Sequence, residues 1–235
     1  MNYRITGTGS CTPDITKKNS DFLQNKFLDR DGSDIQSSNP EIIEKFKSIT
    51  GITERRYASD KLNCSDLATD AARNAIIDSK IDQETLDFII VAHNAGDISC
   101  NSGQVDTLPS IASKVKAKLK IKNPNCVAYD IICGCPGWVE GMIQAKSFIK
   151  SGMASKCLII GCDTLSRILD ENDRDSMIYA DGSGATILEK DTSYDGGILS
   201  HKSATFTYKG EIDFIFYGSS SVSYTHLTLP TICSV

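Results

Sequence analysis

The residues best placed to do chemistry are gathered in one stretch, Asn125 to Lys150, NCVAYDIICGCPGWVEGMIQAKSFIK. The spacing predicts a buried strand over the apolar run Cys126 to Ile132, a turn on Gly134-Cys135-Pro136-Gly137, and a helix from Pro136. Trp138, Met142, Ala145 and Ile149 then fall on one helical face. Proline suits the first helical position, where its missing N–H would be unpaired anyway, so Cys135 is expected at the N-cap. A helix N-terminus presents unpaired N–H groups and partial positive charge, which favour a thiolate over a thiol. Cys135 is therefore the candidate nucleophile. Gly134 and Gly137 permit the tight turn and leave a substrate's approach unobstructed.

Other residue patterns carry less chemistry. Cys133 and Cys135 are separated by one residue, tighter than the usual spacing of zinc ligands, and the LIIG between Cys157 and Cys162 reads as buried strand. The nine cysteines are dispersed and read as reduced thiols. His93 stands at a predicted strand end beside Asn94, and a thiol with histidine and asparagine is a known nucleophile arrangement. The plainer reading, a hydrogen-bonded histidine at a strand terminus, is preferred, because spacing supplies no geometry for a dyad. Asp181-Gly182-Ser183-Gly184 invites a phosphate-loop reading, but a strand, ATILEK, follows it where a helix is required, so a tight structural turn is expected. The alternating Lys114, Lys116, Lys118, Lys120 and Lys122 could steer an acidic partner, but a solvated helix flank, with Ile111, Val115 and Leu119 facing the core, is the preferred reading.

The elements that must position Cys135 follow an alternating order. Tyr3 to Gly9 reads as a strand, Ser20 to Arg30 and Pro40 to Ser48 as helical stripes, and Asn63 to Lys80 as a helix whose alanine rows imply close packing on a sheet. Leu86 to Ala92 is a strand, Leu108 to Leu119 a helix, and Lys156 to Cys162 a further buried strand after a helix stop at Gly152. This order specifies a parallel α/β sheet with helices on its faces, in which His93, Cys135 and Asp163 could share the carboxyl edge.

Composition agrees with a folded α/β protein. The 235 residues are 40% hydrophobic and 23% charged, with a net charge of −5 that argues against a nucleic-acid partner. No run approaches a membrane span, and MNYRITGTGS lacks the apolar core of a signal peptide, so a cytoplasmic location is expected.

Five stretches, in order, resemble β-ketoacyl-acyl carrier protein synthase III. They are GTGSCTPD, Thr50-Gly51-Ile52 with Glu54-Arg55-Arg56, DIICGCPGW around Cys135, IIGCDTLSRILD, and DRDSMIYADGSGATIL. The resemblance implies the thiolase fold, two similar α/β halves packed as a layered sandwich, of which residues 1–221 form the N-terminal half. It further implies an acyltransferase of fatty acid biosynthesis, a homodimer when full length, with Cys135 carrying the acyl group and malonyl-acyl carrier protein as partner, without metal or other cofactor. In this family a histidine and an asparagine from the second half stand beside the cysteine; their motifs do not occur here. Arg174 matches an arginine that holds coenzyme A in the family, but Lys45 and Ile49 stand roughly where the family's tryptophan and second arginine complete that grip. The clamp is thus incomplete, which leaves room for an acyl carrier protein as donor. Another thiolase-fold acyltransferase, of secondary metabolism or of the hydroxymethylglutaryl-coenzyme A synthase type, and a non-catalytic carrier-protein-binding partner remain as alternatives. Residues 222–235, including His226 and Cys233, look like translated sequencing-adaptor read-through, a tail foreign to the fold.

Overall fold

The structure, a computed structural model, describes residues 2–29, 32–100 and 104–208; the tail from 222 onwards, with His226 and Cys233, lies outside them. In chain order the strands are β1 (Tyr3–Cys11), β2 (Ile15–Lys18), β3 (Glu54–Tyr57), β4 (Phe88–His93), β5 (Asp97–Ile98), β6 (Val105–Asp106), β7 (Val127–Ile132), β8 (Lys156–Thr164) and β9 (Asp181–Lys190). The helices are α1 (Asn39–Thr50), α2 (Cys64–Ser79), α3 (Ile111–Lys118) and α4 (Gly137–Ser151). A five-stranded sheet in the order β1-β9-β8-β4-β7 organises them. α2 and α3 cover one face through Ile89, Val91, Leu158, Ile160 and Ile187. α4 covers the other through Ile90, Cys157, Ile159 and Leu188. Alternate residues of β4 and β8 thus serve opposite faces, as the two-residue period of a strand requires.

Local sequence explains the helix ends. Ser38 and Glu41 form a capping box at the start of α1, Asn63 and Asp66 do so for α2, and Ser110 accepts the Ser113 N–H at the start of α3. The alanine rows of α2 are fully buried because β1 meets them with glycine. A β-carbon on Gly9 would lie 2.2 Å from the Ala71 carbonyl oxygen, and one on Gly7 2.4 Å from that of Ala75. A bulge between Ile5 and Gly7 turns these glycines towards α2 while Tyr3 faces α4.

Four expectations are corrected. The sheet is mixed: β4 runs parallel to β7 and β8, but β9 lies antiparallel between β8 and β1. Asp181 to Gly184 is no tight turn; it is the first part of β9, extended and paired along its length with β8, and from Ser183 with β1 as well, so that Gly184 stands opposite both Ser10 and Gly161. Of the helix expected over Ser20 to Arg30, the described residues, which in this stretch end at Asp29, form only a single 3₁₀ turn, Asn19–Phe22. Phe22 and Phe27 are drawn into a small separate core with Ile42 and Met177, and the Leu28 N–H bonds outward to the Asn172 carbonyl. β7 was expected inside the sheet, yet among the described residues it pairs only with β4 and forms the edge. Tyr129 and Ile131 pack towards α4 and Ala128 towards the opposite face, while Val127 and Ile132 are 48% and 49% exposed.

The β1–α2 contact yields a direct prediction. Gly9→Ala forces a methyl group against helix backbone, so urea denaturation should show a loss of about 1–3 kcal/mol. An unchanged midpoint would mean that β1 can retreat from α2.

Candidate active site

The turn after β7 places Cys135. Gly134 adopts the left-handed conformation, φ 65°, and the Gly137 N–H donates back to the Gly134 carbonyl at 3.0 Å. Pro136, not Cys135, is the N-cap of α4, and the Glu140 N–H donates to its carbonyl at 3.1 Å. The difference arises because Pro136 has ψ −4°, short of the regular helical value, so that its carbonyl, and not that of Cys135, accepts the first intrahelical bond. Cys135 stands just before the cap and is exposed. Gly137 has a second role that spacing did not reveal: its β-carbon would lie 2.9 Å from Ala92 Cβ, and one on Gly141 2.8 Å from Ile159 Cγ2. Glycine lets α4 settle onto β4 and β8.

Cys135 opens on a cleft of about 340 Å³ lined by Ala92, Gly134, Trp138, Gly161, Cys162, Asp163 and the strand start Ala180 to Gly184. Asp163 accepts the Asn94 backbone N–H at 2.9 Å and its side-chain amide at 2.6 Å. Burial pushes this carboxyl up to about 6; the two Asn94 bonds and His93 oppose the rise, and the charge of Asp181 adds to it. Asp181 is itself held by the N–H groups of Ala58 and Ser166 and by the Ser166 hydroxyl. Sequence placed Asp163 at the strand edge but gave no sign of its pairing with Asn94, which depends on how β4 and β8 align.

His93 and Cys135 belong to opposite faces of the sheet. His93 shares the β4 parity of Ile89 and Val91, towards α2 and α3, whereas Cys135 leads into α4 on the other face. The Gly96 N–H donates to His93 Nδ1 at 2.9 Å, so that nitrogen is the acceptor and Nε2 carries the proton towards Asp130 Oδ2, 3.0 Å away. Asp130 also accepts the Ile111 and Ala112 N–H groups at the start of α3. His93 thus joins β4, β7 and α3, in line with the plainer reading of it. His201 is exposed, with Nδ1 3.4 Å from Lys146 Nζ.

The remaining candidates are scattered. Arg174 is exposed at the start of a 3₁₀ turn, Arg174–Ile178, and is not among the residues lining the cleft. Lys45 and Ile49 lie on the exposed side of α1. Cys157 faces α4 and Cys162 faces α2, so the two cannot share one ion. Lys114 bonds Asp97 and Asp106, Lys116 the Cys126 carbonyl, and Lys118 Ser65 and Asp66, while Ile111, Val115 and Leu119 are buried as a helix flank requires. Two arginines have structural roles that spacing did not reveal. Arg55 lies over the Phe22 ring and bonds Asn19, the Lys17 carbonyl and the Met177 carbonyl. Arg167 bonds Asn63 and the carbonyls of Ser59, Leu62 and Ile98, tying together loops beside α2.

Comparison with known proteins agrees with this geometry. Residues 129–206 match the family described as 3-oxoacyl-[acyl-carrier-protein (ACP)] synthase III. The chain is 33% identical over 98% of its length to beta-ketoacyl-[acyl-carrier-protein] synthase III of Ehrlichia ruminantium (strain Welgevonden), of which it covers 64%. With the Neisseria gonorrhoeae (strain NCCP11945) protein of the same name it shares 38% identity over 86% of its length and 56% of the relative. Among solved structures it is similar to 3-oxoacyl-[acyl-carrier-protein] synthase III from Aquifex aeolicus VF5, with TM-score 0.66 and 30% identity over 81% of this chain and 55% of that one. It is similar also to the Pseudomonas aeruginosa PAO1 enzyme, with TM-score 0.70 and 25% identity over 90% and 59%. The fold is thiolase-like, and the described residues correspond to the N-terminal half of the layered sandwich. The chain spans less than two thirds of the curated relatives named here.

Two measurements follow. Iodoacetamide should label Cys135 first, because the other exposed cysteine among the described residues, Cys100, has its thiol pushed up by the Asp60 carboxylate; peptide mapping that finds Cys100 or Cys133 labelled equally fast would oppose this. Asp163 gives a pH signature. Its folded value lies above its unfolded one, so its favourable contribution is full below about pH 4 and is lost as pH rises through about 6. Asp163→Asn should therefore gain about 2 kcal/mol relative to the parent between pH 4 and 8, read from denaturation midpoints.

Proposed function

From the chain's resemblance to β-ketoacyl-[acyl-carrier-protein] synthase III, we propose that it carries the acyl-accepting cysteine of a decarboxylative condensing enzyme of fatty acid biosynthesis. The observation that carries this reading is the exposed Cys135 on a glycine-bounded strand-to-helix turn at the mouth of an open cleft. The Cys135 sulfur attacks an acyl thioester carbonyl, the carrier thiol departs with a proton, and a Cys135 acyl-enzyme forms. Malonyl-acyl carrier protein then loses carbon dioxide, and the electron pair of the broken carbon–carbon bond stays on its α-carbon. That carbon attacks the acyl-enzyme carbonyl and Cys135 leaves. The Cys135 backbone N–H contributes to the oxyanion hole, where one preorganised donor is worth about 3 kcal/mol.

The acyl donor is the open part of the reading. Lys45 and Ile49, roughly where a coenzyme A clamp calls for tryptophan and arginine, favour an acyl carrier protein over coenzyme A, with Arg174 a minor contact. The protein works as a homodimer in the cytoplasm, and the edge of β7, which among the described residues has no second strand beside it, is the surface through which two copies pair.

The experiment is acyl transfer followed by intact-mass and peptide analysis, with acyl-coenzyme A and acyl-carrier protein compared at equal acyl chain. One acyl group on the Cys135 peptide, lost in Cys135→Ala, is expected. Acylation elsewhere, or persistence in Cys135→Ala, would overturn the assignment. Arg174→Ala should lower acyl-enzyme formation less than about tenfold, or 1.4 kcal/mol; a larger loss confined to the coenzyme A donor would show that the clamp persists in another form.

A further inference from the structure

Cys64 and Cys162 lie 98 residues apart in sequence, yet their Sγ atoms are 3.2 Å apart. Cys64 is the first residue of α2 and Cys162 is near the carboxyl end of β8; both are buried, in one apolar cluster. At that separation the sulfurs are in contact, and a bond between them needs only a side-chain rotation of about 1 Å, given a disulfide length of about 2 Å. The neighbours hold the pair in place: Arg167 bonds Asn63, the residue before Cys64, and Asp163, the residue after Cys162, is fixed by Asn94. Neither thiol has a part in the proposed condensation.

We propose that Cys64 and Cys162 are a redox-modification site, a buried dithiol that a peroxide closes to an intramolecular disulfide. Cys162 takes the first step, because its neighbours Gly161 and Asp163 line the open cleft and it retains 5% exposure against 0% for Cys64. Its sulfur attacks one peroxide oxygen, the O–O bond breaks, and the departing hydroxide leaves as water with the thiol proton. The sulfur of Cys64 then attacks the sulfenic acid, the S–O bond breaks, and a second water leaves with the Cys64 proton. Two thiols are oxidised and one peroxide is reduced to two waters. The contact with Cys64 and then burial push the Cys162 thiol well up; the same contact lowers that of Cys64, but burial and the nearby carboxylates outweigh it and raise this thiol too, so closure is slow and accelerates as pH rises. The bond would tie the start of α2 to the strand that walls the cleft.

The site is independent of the condensing reaction, so its test uses no acyl substrate. The Cys135→Ala, Cys100→Ala chain is treated with hydrogen peroxide, blocked with iodoacetamide in urea, digested and mapped by mass. A cross-linked peptide pair containing Cys64 and Cys162, lighter by two hydrogens and released by dithiothreitol, is expected, with a yield that rises with pH. Oxidation in urea should scramble the pairing. Full alkylation of both thiols after treatment, sulfinic acid on either without the cross-link, or an equal yield of the same pair in urea would each overturn the proposal. Cys64→Ala serves as control: loss of the cross-link supports the assignment, whereas Cys162 recovered in a disulfide with another cysteine would contradict it. Should that variant fail to fold, the map of the Cys135→Ala, Cys100→Ala chain decides alone.

Discussion

The closeness with which α4 lies on the sheet governs the rest of the candidate site. Gly137 over Ala92 and Gly141 over Ile159 remove the two β-carbons that would hold helix and strands apart. The sheet reciprocates at Gly161, where a β-carbon would meet Trp138 Cβ at 3.4 Å. A helix so low over β4 and β8 leaves only Cys133 to Pro136 to cross from β7, and one of these, Gly134, must take a left-handed conformation to close the turn. Cys135 is what remains on the outside of that turn, and Trp138, one helical step onward, becomes a wall of the cleft. Packing energy in the α4 interface and exposure of the thiol are thus two consequences of the same glycines.

Much of this was legible because two periods meet in one stretch. The change from the strand run ending at Ile132 to the helical stripe of Trp138, Met142, Ala145 and Ile149 locates the turn without any knowledge of its neighbours; the last three are buried and Trp138 is partly so. The alanine rows of α2 announced close packing for a similar reason. Their partners, Gly7 and Gly9, were visible only as members of a strand; that they face α2 depends on a bulge, which spacing does not encode.

What sequence did not reveal is mostly a matter of direction and parity. An apolar run such as Ile89 to Ala92 is buried on both faces, so nothing in it tells which helix covers which side, and hence whether His93 can reach Cys135. The same ambiguity hid the antiparallel course of β9: the glycines of Asp181 to Gly184 signal a turn when read locally but sit extended between β1 and β8. The irregular course after Asn19 has another cause. Phe22 and Phe27 gain more by closing a core over Met177, beneath the guanidinium of Arg55, than a helix would gain from its own bonds.

The edge position of β7 connects assembly with the site. A central strand would have hidden Val127 and Ile132; here both are half exposed, and Ile132 is the last strand residue before Cys133. An exposed, apolar strand edge is a template for pairing. Any strand added along it would end within three residues of Cys135, close enough to shape the mouth of the cleft and exclude water from the thiol. The edge of β7 and the position of the Cys135 thiol are linked by one turn, whose geometry Gly134 and Gly137 set. A substitution at Ile132 should in consequence disturb association and acyl transfer together, although its side chain is not among those lining the cleft.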